Sequence, residues 1–225
     1  MTKQIVIDIE TVKCAQQKQI DFLLANVKAD SRLKDAAKIA ADIEEKRSEV
    51  IDKTSLDGSF GRILCASVCD ADTGVIYSMS SPVVDEVAVL TELVSTVERI
   101  VNEGTQTPMR PIIIGHNILW DLRFIAQRCA ANFVKFDKRH LPFDAKPWGE
   151  NVVDTMVAWA GAGNRITLDK LCMALGVESP KSEMDGSMVG KFFEEGRLAE
   201  IVKYNRDDVA ATLACYMRMK SAGML

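Results

Sequence analysis

The chain has 225 residues, 48% of them hydrophobic and 27% charged, with a net charge of −4. That length and balance suit a globular protein with a sizeable core, argue against a basic surface that coats nucleic acid, and include no apolar run of membrane-spanning length. The N-terminus has no signal-peptide pattern, and six cysteines (Cys14, Cys65, Cys69, Cys129, Cys172, Cys215) lie without metal-ligand spacing, so a cytoplasmic protein with reduced core thiols is expected.

The run from Gln4 to Thr11 is apolar and β-branched, which predicts a buried first strand. Alternation along it sends Ile5, Ile7 and Ile9 one way and Val6, Asp8 and Glu10 the other. Two carboxylates then share one face at the strand's C-terminal end, where they repel and are costly to desolvate. A divalent cation removes both costs; the plain alternative is a strand that stops at Asp8 with both acids facing water.

Residues 13 to about 57 change character, with sparse apolar stripes among Lys, Glu, Asp, Gln and Ala. Two helices over 15–27 and 33–51, loosely committed to a core, form an insertion after the first strand. It is either a solvated cap or a lid whose Lys28, Arg32, Lys34 and Lys38 help hold a substrate. Residues 61–70 and 75–79 are strands joined by the turn Ala71-Asp72-Thr73-Gly74, a hairpin. An amphipathic helix follows over 85–102, closed by Gly104.

Residues 111–114 form a short buried strand that passes through Gly115-His116-Asn117 into a helix over 119–131, with Asn117 as a plausible N-cap. Val152-Val153 is a brief strand, and Asp154 caps the helix after it. Thr167 caps a helix over 168–175 that ends at Gly176. Residues 177–189 read as a polar loop, and 198–220 as the last long helix. Strands alternating with helices after a hairpin predict an α/β fold with a partly parallel sheet covered on both faces.

Two further acids sit where acids are expensive. On the last helix, Ile201, Tyr204, Asp208, Ala211, Cys215 and Met219 share one stripe, so Asp208 leans inward one turn after Tyr204. Asp121 lies four residues after Asn117 at the start of a helix, where an acid suits the helix dipole and where α/β sheets gather ligand sites.

The ordered set is Asp-x-Glu on the first strand, Asn-x-x-x-Asp after a second, and Tyr-x-x-x-Asp on a late helix. Its stretches are Val6-Ile7-Asp8-Ile9-Glu10-Thr11, Gly115-His116-Asn117-Ile118-Leu119-Trp120-Asp121-Leu122-Arg123-Phe124-Ile125 and Tyr204-Asn205-Arg206-Asp207-Asp208-Val209. This set resembles the DEDD 3′–5′ exonucleases of the DnaQ-like superfamily, in their tyrosine subgroup; the histidine subgroup has a His five residues before its last Asp, where this chain has Lys203. Phe60-Gly61-Arg62-Ile63, Val153-Asp154-Thr155-Met156, Leu168-Asp169-Lys170-Leu171 and Asp185-Gly186-Ser187 are similar to stand-alone exonucleases related to the proofreading domain of family B DNA polymerases.

The resemblance implies a single domain over 1–225 with a ribonuclease H-like mixed sheet flanked by helices on both faces. The insertion at about 13–57 is a departure from the family. The implied activity is hydrolysis of phosphodiester bonds at the 3′ end of single-stranded DNA, with two ions of Mg²⁺ or Mn²⁺ held by Asp8, Glu10, Asp121 and Asp208. Tyr204 then orients or helps deprotonate the attacking water. Substrate contacts fall to Thr11 and to Asn117, which touches the terminal nucleotide or holds the helix start. They also fall to Lys138, Arg139 and Trp148, in a basic and aromatic stretch suited to single strands or else a plain surface loop, and to Lys181 beside Ser182. His116 reads as a turn or supporting residue. An RNA 3′-end trimmer of ribonuclease D type is the alternative enzyme. A catalytically silent nucleic-acid-binding accessory is the alternative class, which a missing carboxylate would favour; all four are present.

Overall fold

The computed structural model describes residues 2–81, 85–103, 110–179 and 184–225. Its strands are β1 (Gln4–Val12), β2 (Arg62–Asp70), β3 (Val75–Ser80), β4 (Ile112–Gly115) and β5 (Val152–Asp154). They make one mixed sheet in the order β3-β2-β1-β4-β5. Pairing is antiparallel from β3 to β1 and parallel from β1 to β5. The helices are α1 (Gln17–Leu24), α2 (Ala36–Lys53), α3 (Glu86–Asn102), α4 (Ile118–Ala131), α5 (Thr155–Ala160), α6 (Leu168–Leu175), α7 (Val189–Glu194) and α8 (Leu198–Ser221). This is the α/β architecture expected, a mixed sheet of ribonuclease H-like kind with helices on both faces.

The alternation of β1 decides what each face receives. Ile5, Ile7 and Ile9 pack with Leu90, Leu93 and Val97 of α3 and with Phe124 of α4. Val6 packs on the opposite face with Val209 and Tyr216 of α8. Asp8 and Glu10 share that second face by the same period of two. β1 also outruns its parallel partner, since its register with β4 stops at Val6↔Ile114. Its register with β2 shifts between Glu10 and Thr11, so that Leu64 is left over on β2. Bulges of this kind bend a strand and re-aim its side chains, and this one falls beside Glu10.

Local signals hold at most boundaries. Asp85 accepts from Ala88 N at the start of α3, Asp154 from Met156 N and Val157 N at α5, and Thr167 from Lys170 N at α6. Gly176 ends α6 in the left-handed region at φ 64°. Gly104, expected to close α3, lies outside the described residues. Between β1 and β2, α1 and α2 are as expected but shorter or shifted by two to three residues at several ends, and neither buries a residue. One stretch departs. The described part of 177–189 is no plain loop: Asp185 starts a 3₁₀ turn over 186–188. α7 follows, burying Val189 and Phe192 against Val12 and Leu64. A six-residue helix containing Gly190 is too short to show a helical period in sequence.

All six cysteines are free and buried. Cys172 of α6 and Cys215 of α8 place their sulfurs 3.5 Å apart. Among the buried charged side chains, Glu86 accepts from Ile63 N (2.8 Å), Arg128 Nε (2.9 Å), Arg128 NH2 (2.8 Å) and Asn132 Nδ2 (2.9 Å). Arg128 also donates to the carbonyls of Gly58 and Ser59, so the pair fastens α3, α4 and the start of β2 to the end of the insertion. Removing one member strands a charge only 2% (Arg128) or 7% (Glu86) exposed. Arg128→Ala should therefore cost about 3–5 kcal/mol in urea unfolding; a loss below about 1 kcal/mol would show that water reaches Glu86.

Candidate active site

Three elements bring the acids together. β1 carries Asp8 and Glu10 past the end of β4. α8 crosses the same face with Tyr204, Asn205 and Asp208. α4 starts at the mouth of the parallel half of the sheet and carries Asp121 in its first turn. The β4–α4 junction is tight, because a Cβ on Gly115 would stand 2.7 Å from Ile118. Asn117 turns the chain in the left-handed region (φ 64°, ψ 32°), which Asn tolerates better than most residues. Its N–H donates to Asp154 Oδ1 at 3.0 Å, so the cap of α5 also sets the start of α4. Asn117 does stand at the N-cap position, but its side chain makes no capping bond and is exposed. His116 is a support: its ring nitrogens reach Thr155 Oγ1 (3.0 Å) and the carbonyl of Ile166 (2.8 Å).

Asp8, Glu10 and Asp208 each offer an oxygen, and these oxygens lie within 4.8 Å of one another. Asp121 is outside that trio, 4% exposed, and takes a hydrogen bond from the N–H of Ile9 on the edge of β1 that β4 leaves open. Its charge bears on both Asp8 and Glu10. Asp207 points outward and pairs with Lys203. Among the described residues, no ion pair involves Asp8, Glu10, Asp121 or Asp208.

The electrostatic consequence is uniform. Burial, then the neighbouring Asp121, Glu10 and Asp208, hold the Asp8 carboxyl well above the usual range; a hydrogen bond from Asn205 is the one opposing influence. Burial and then Asp208 and Asp121 do the same to Glu10. Burial dominates at Asp121, countered by backbone N–H groups. Asp208 is pushed up to about 7, first by burial, with the Tyr204 hydroxyl pulling the other way. The Tyr204 hydroxyl is raised as well, by burial and then by Asp208 and Glu10. Crowded hard-oxygen donors without a counter-charge of their own fit a divalent cation of the Mg²⁺ or Mn²⁺ kind.

Residues 131–224 match the family described as predicted 3′–5′ exonucleases related to the exonuclease domain of PolB. The match bears out the resemblance and the enzyme class, a 3′–5′ exonuclease, and with them the use of divalent metal. It includes Tyr204 and Asp208, while Asp8, Glu10 and Asp121 precede it. No curated protein matches the chain.

Beside Glu10 of this exonuclease opens a cleft of about 690 Å³, with Thr11 and Lys13 from β1 and its extension, Leu56 from the end of the insertion, Trp120 from α4 and Lys191 from α7 among its walls. Thr11 thus lines the cleft, and its hydroxyl donates to the carbonyl of Ser55 at 2.6 Å. Lys138 and Arg139 do not line it; they pair with Asp144 and Asp137, each at 2.5 Å. Trp148 is 72% exposed and also lies off the cleft wall, as do Lys28, Arg32, Lys34 and Lys38 of the insertion. Lys181 and Ser182 fall outside the described residues. The lysines that do face the cleft are Lys13, Lys53 and Lys191. Sequence reading passed over them because a lysine on a polar surface carries no periodic signal. Asn205 was also missed, although an Asn four residues from both Ile201 and Val209 on an inward face was there to be noticed.

Carboxyls raised in the folded state favour the protonated protein. Their contribution to stability is complete below the unfolded pKa of about 4 and is lost as pH rises through the folded values, which for Asp208 means up to about 7. In EDTA, Asp208→Asn should therefore melt higher than the natural protein at pH 8, by about 2–4 °C for each kcal/mol relieved, with the gap closing at pH 5. Melting curves at the two pH values test this, and a gap of equal size at both would exclude repulsion as its source.

Proposed function

We propose that the protein is a divalent-cation-dependent 3′–5′ exonuclease that removes nucleotides one at a time from single-stranded DNA. The observation that carries this reading is the convergence of Asp8, Glu10 and Asp208 within 4.8 Å, with Asp121 beside them. A cleft of about 690 Å³ is the size of a small-ligand pocket and suits a chain end rather than a duplex. The preference for DNA rests on the resemblance to polymerase proofreading domains. Six free, buried cysteines support a cytoplasmic setting.

In the reaction a water oxygen bonds to phosphorus, the bond from phosphorus to the 3′-oxygen of the penultimate nucleotide breaks, and that oxygen leaves with a proton. The carboxylates Asp8, Glu10, Asp121 and Asp208 would hold a pair of Mg²⁺ or Mn²⁺ ions, which when bound acidify water and offset charge on the phosphate and the leaving oxygen. The chain's own residues set the geometry around that chemistry. Asp8 would be a ligand whose carboxylate Asn205 holds in place. Tyr204, whose hydroxyl is kept protonated by burial and then by the surrounding acids, orients the attacking water by hydrogen bonding rather than by removing its proton. Thr11, Leu56 and Trp120 border the space for the terminal nucleotide, with Lys13, Lys53 and Lys191, each in a weak exposed ion pair that a phosphate could replace, at its edge.

Digestion of 5′-labelled single- and double-stranded DNA and of RNA, with Mg²⁺ or Mn²⁺, tests the reading. Single-stranded DNA should shorten stepwise from the 3′ end, and Asp8→Ala should abolish this while leaving a folded protein. Faster loss of RNA would move the substrate to RNA, and a natural protein inert on all three would remove the proposal. Cation at about 100 times its Kd should add roughly 2.7 kcal/mol of stability to the natural protein and none to Asp8→Ala.

Tyr204→Phe separates the hydroxyl from the ring. It should lower the rate of the chemical step by about 10- to 100-fold with little change in cation affinity, as measured by single-turnover cleavage and Mn²⁺ titration. A variant at full rate would make the hydroxyl a bystander.

A further inference from the structure

Asn205 is placed unlike any other polar side chain near the site. It is wholly buried, at 0% exposure. Its Nδ2 donates to Asp8 Oδ2 at 2.6 Å, joining residues 197 positions apart in the chain. Its Oδ1 is buried with no hydrogen-bond partner among the described residues. An unpaired buried amide oxygen is a cost, and packing alone gives no reason to bear it, since the inward positions on either side of Asn205 are the apolar Ile201 and Val209. The gain is on the donor side. Tyr204, Asn205 and Asp208 occupy one turn of α8, so the bond from Asn205 ties that turn to β1 and restricts rotation of the Asp8 carboxylate, which also shares the cluster with Glu10 and Asp208.

We propose that Asn205 is a positioning residue that fixes the orientation of the Asp8 carboxylate for cation binding and cleavage without itself touching ion or substrate. This rests on the exonuclease reading above. It differs from a packing role in what it affects: a residue that only fills space influences how much protein is folded, whereas one that aims a ligand influences how tightly the folded protein holds a cation.

Asn205→Leu keeps the number and branching of the side-chain heavy atoms and removes the donor. The protein should stay folded, with a melting point in EDTA close to that of the natural chain. Its Mn²⁺ affinity, read directly by the loss of the free-ion electron paramagnetic resonance signal, should weaken by about 10- to 100-fold, and kcat should fall with KM for single-stranded DNA little changed. Should leucine prevent folding, Asn205→Ser carries the same test, because its hydroxyl is too short to replace the bond to Asp8. A folded variant with natural Mn²⁺ affinity and natural kcat overturns the assignment and leaves the exonuclease reading standing. A natural protein that binds no Mn²⁺ overturns both.

Discussion

Four carboxyl groups are held close together in a largely buried pocket, and among the described residues nothing of opposite charge meets them. Such a group tends to move apart or take up protons, so the surrounding fold has to resist both. It does so from three directions. β1 is central and hydrogen-bonded to β2 along its length, so Asp8 and Glu10 cannot retreat with their strand. α8 is anchored by Val209 and Tyr216 on the sheet, and by Cys215 and Ala211 against α6, which keeps Asp208 in place. Asp121 stands in the first turn of α4, where the helix dipole and the N–H of Ile9 favour its charged form. A cation is what this arrangement lacks electrostatically, and metal-binding exonuclease chemistry is where such an arrangement is useful.

What the amino-acid sequence revealed and what it hid divide along a physical line. The strand face of Asp8 and Glu10 was legible because alternation is a local rule. So were the caps at Asp154 and Thr167, because a short polar side chain meets N–H groups two or three residues away. Asp121 and Asp208 were legible by spacing within a helix, and their convergence with Asp8 only through the resemblance. The bulge between Glu10 and Thr11 was not, since it arises from pairing with a strand more than fifty residues away. The left-handed turn at Asn117 was hidden because the same residue would cap a helix equally well in its ordinary conformation. Asn205 was hidden because one polar residue in an apolar stripe reads as noise until its partner is known.

Substrate contacts were the least legible part, for a related reason. The stretch with Lys138, Arg139 and Trp148 has the composition of a single-strand grip, but composition does not say where a loop lies, and two of its cations pair with acids two to six residues away. The cleft lysines come instead from three separate elements, Lys13 after β1, Lys53 at the end of α2 and Lys191 in α7. No window of sequence contains all three.

That separation gives the insertion a place beside the site through its C-terminal end rather than through the Lys28, Arg32, Lys34 and Lys38 of the lid reading. α1 and α2 bury nothing, yet the chain just after α2 is tied to the body at Thr11–Ser55 and at Cys14–Thr54, where Cys14 N donates to Thr54 Oγ1 at 2.8 Å. Lys13 adds a bridge across the cleft mouth, to Asp52 at 3.0 Å on the insertion side and to Glu194 at 2.9 Å on α7. All three charges are well exposed, so each pair is worth no more than about 1 kcal/mol and weakens with salt. The hydrogen bonds at Thr11 and Cys14 are shielded and keep the wall in register when the bridge opens. Lys13 can therefore leave its two carboxylates at little cost, while Leu56 stays in the cleft wall. The insertion is joined to the exonuclease body firmly next to Glu10 and only loosely at the rim.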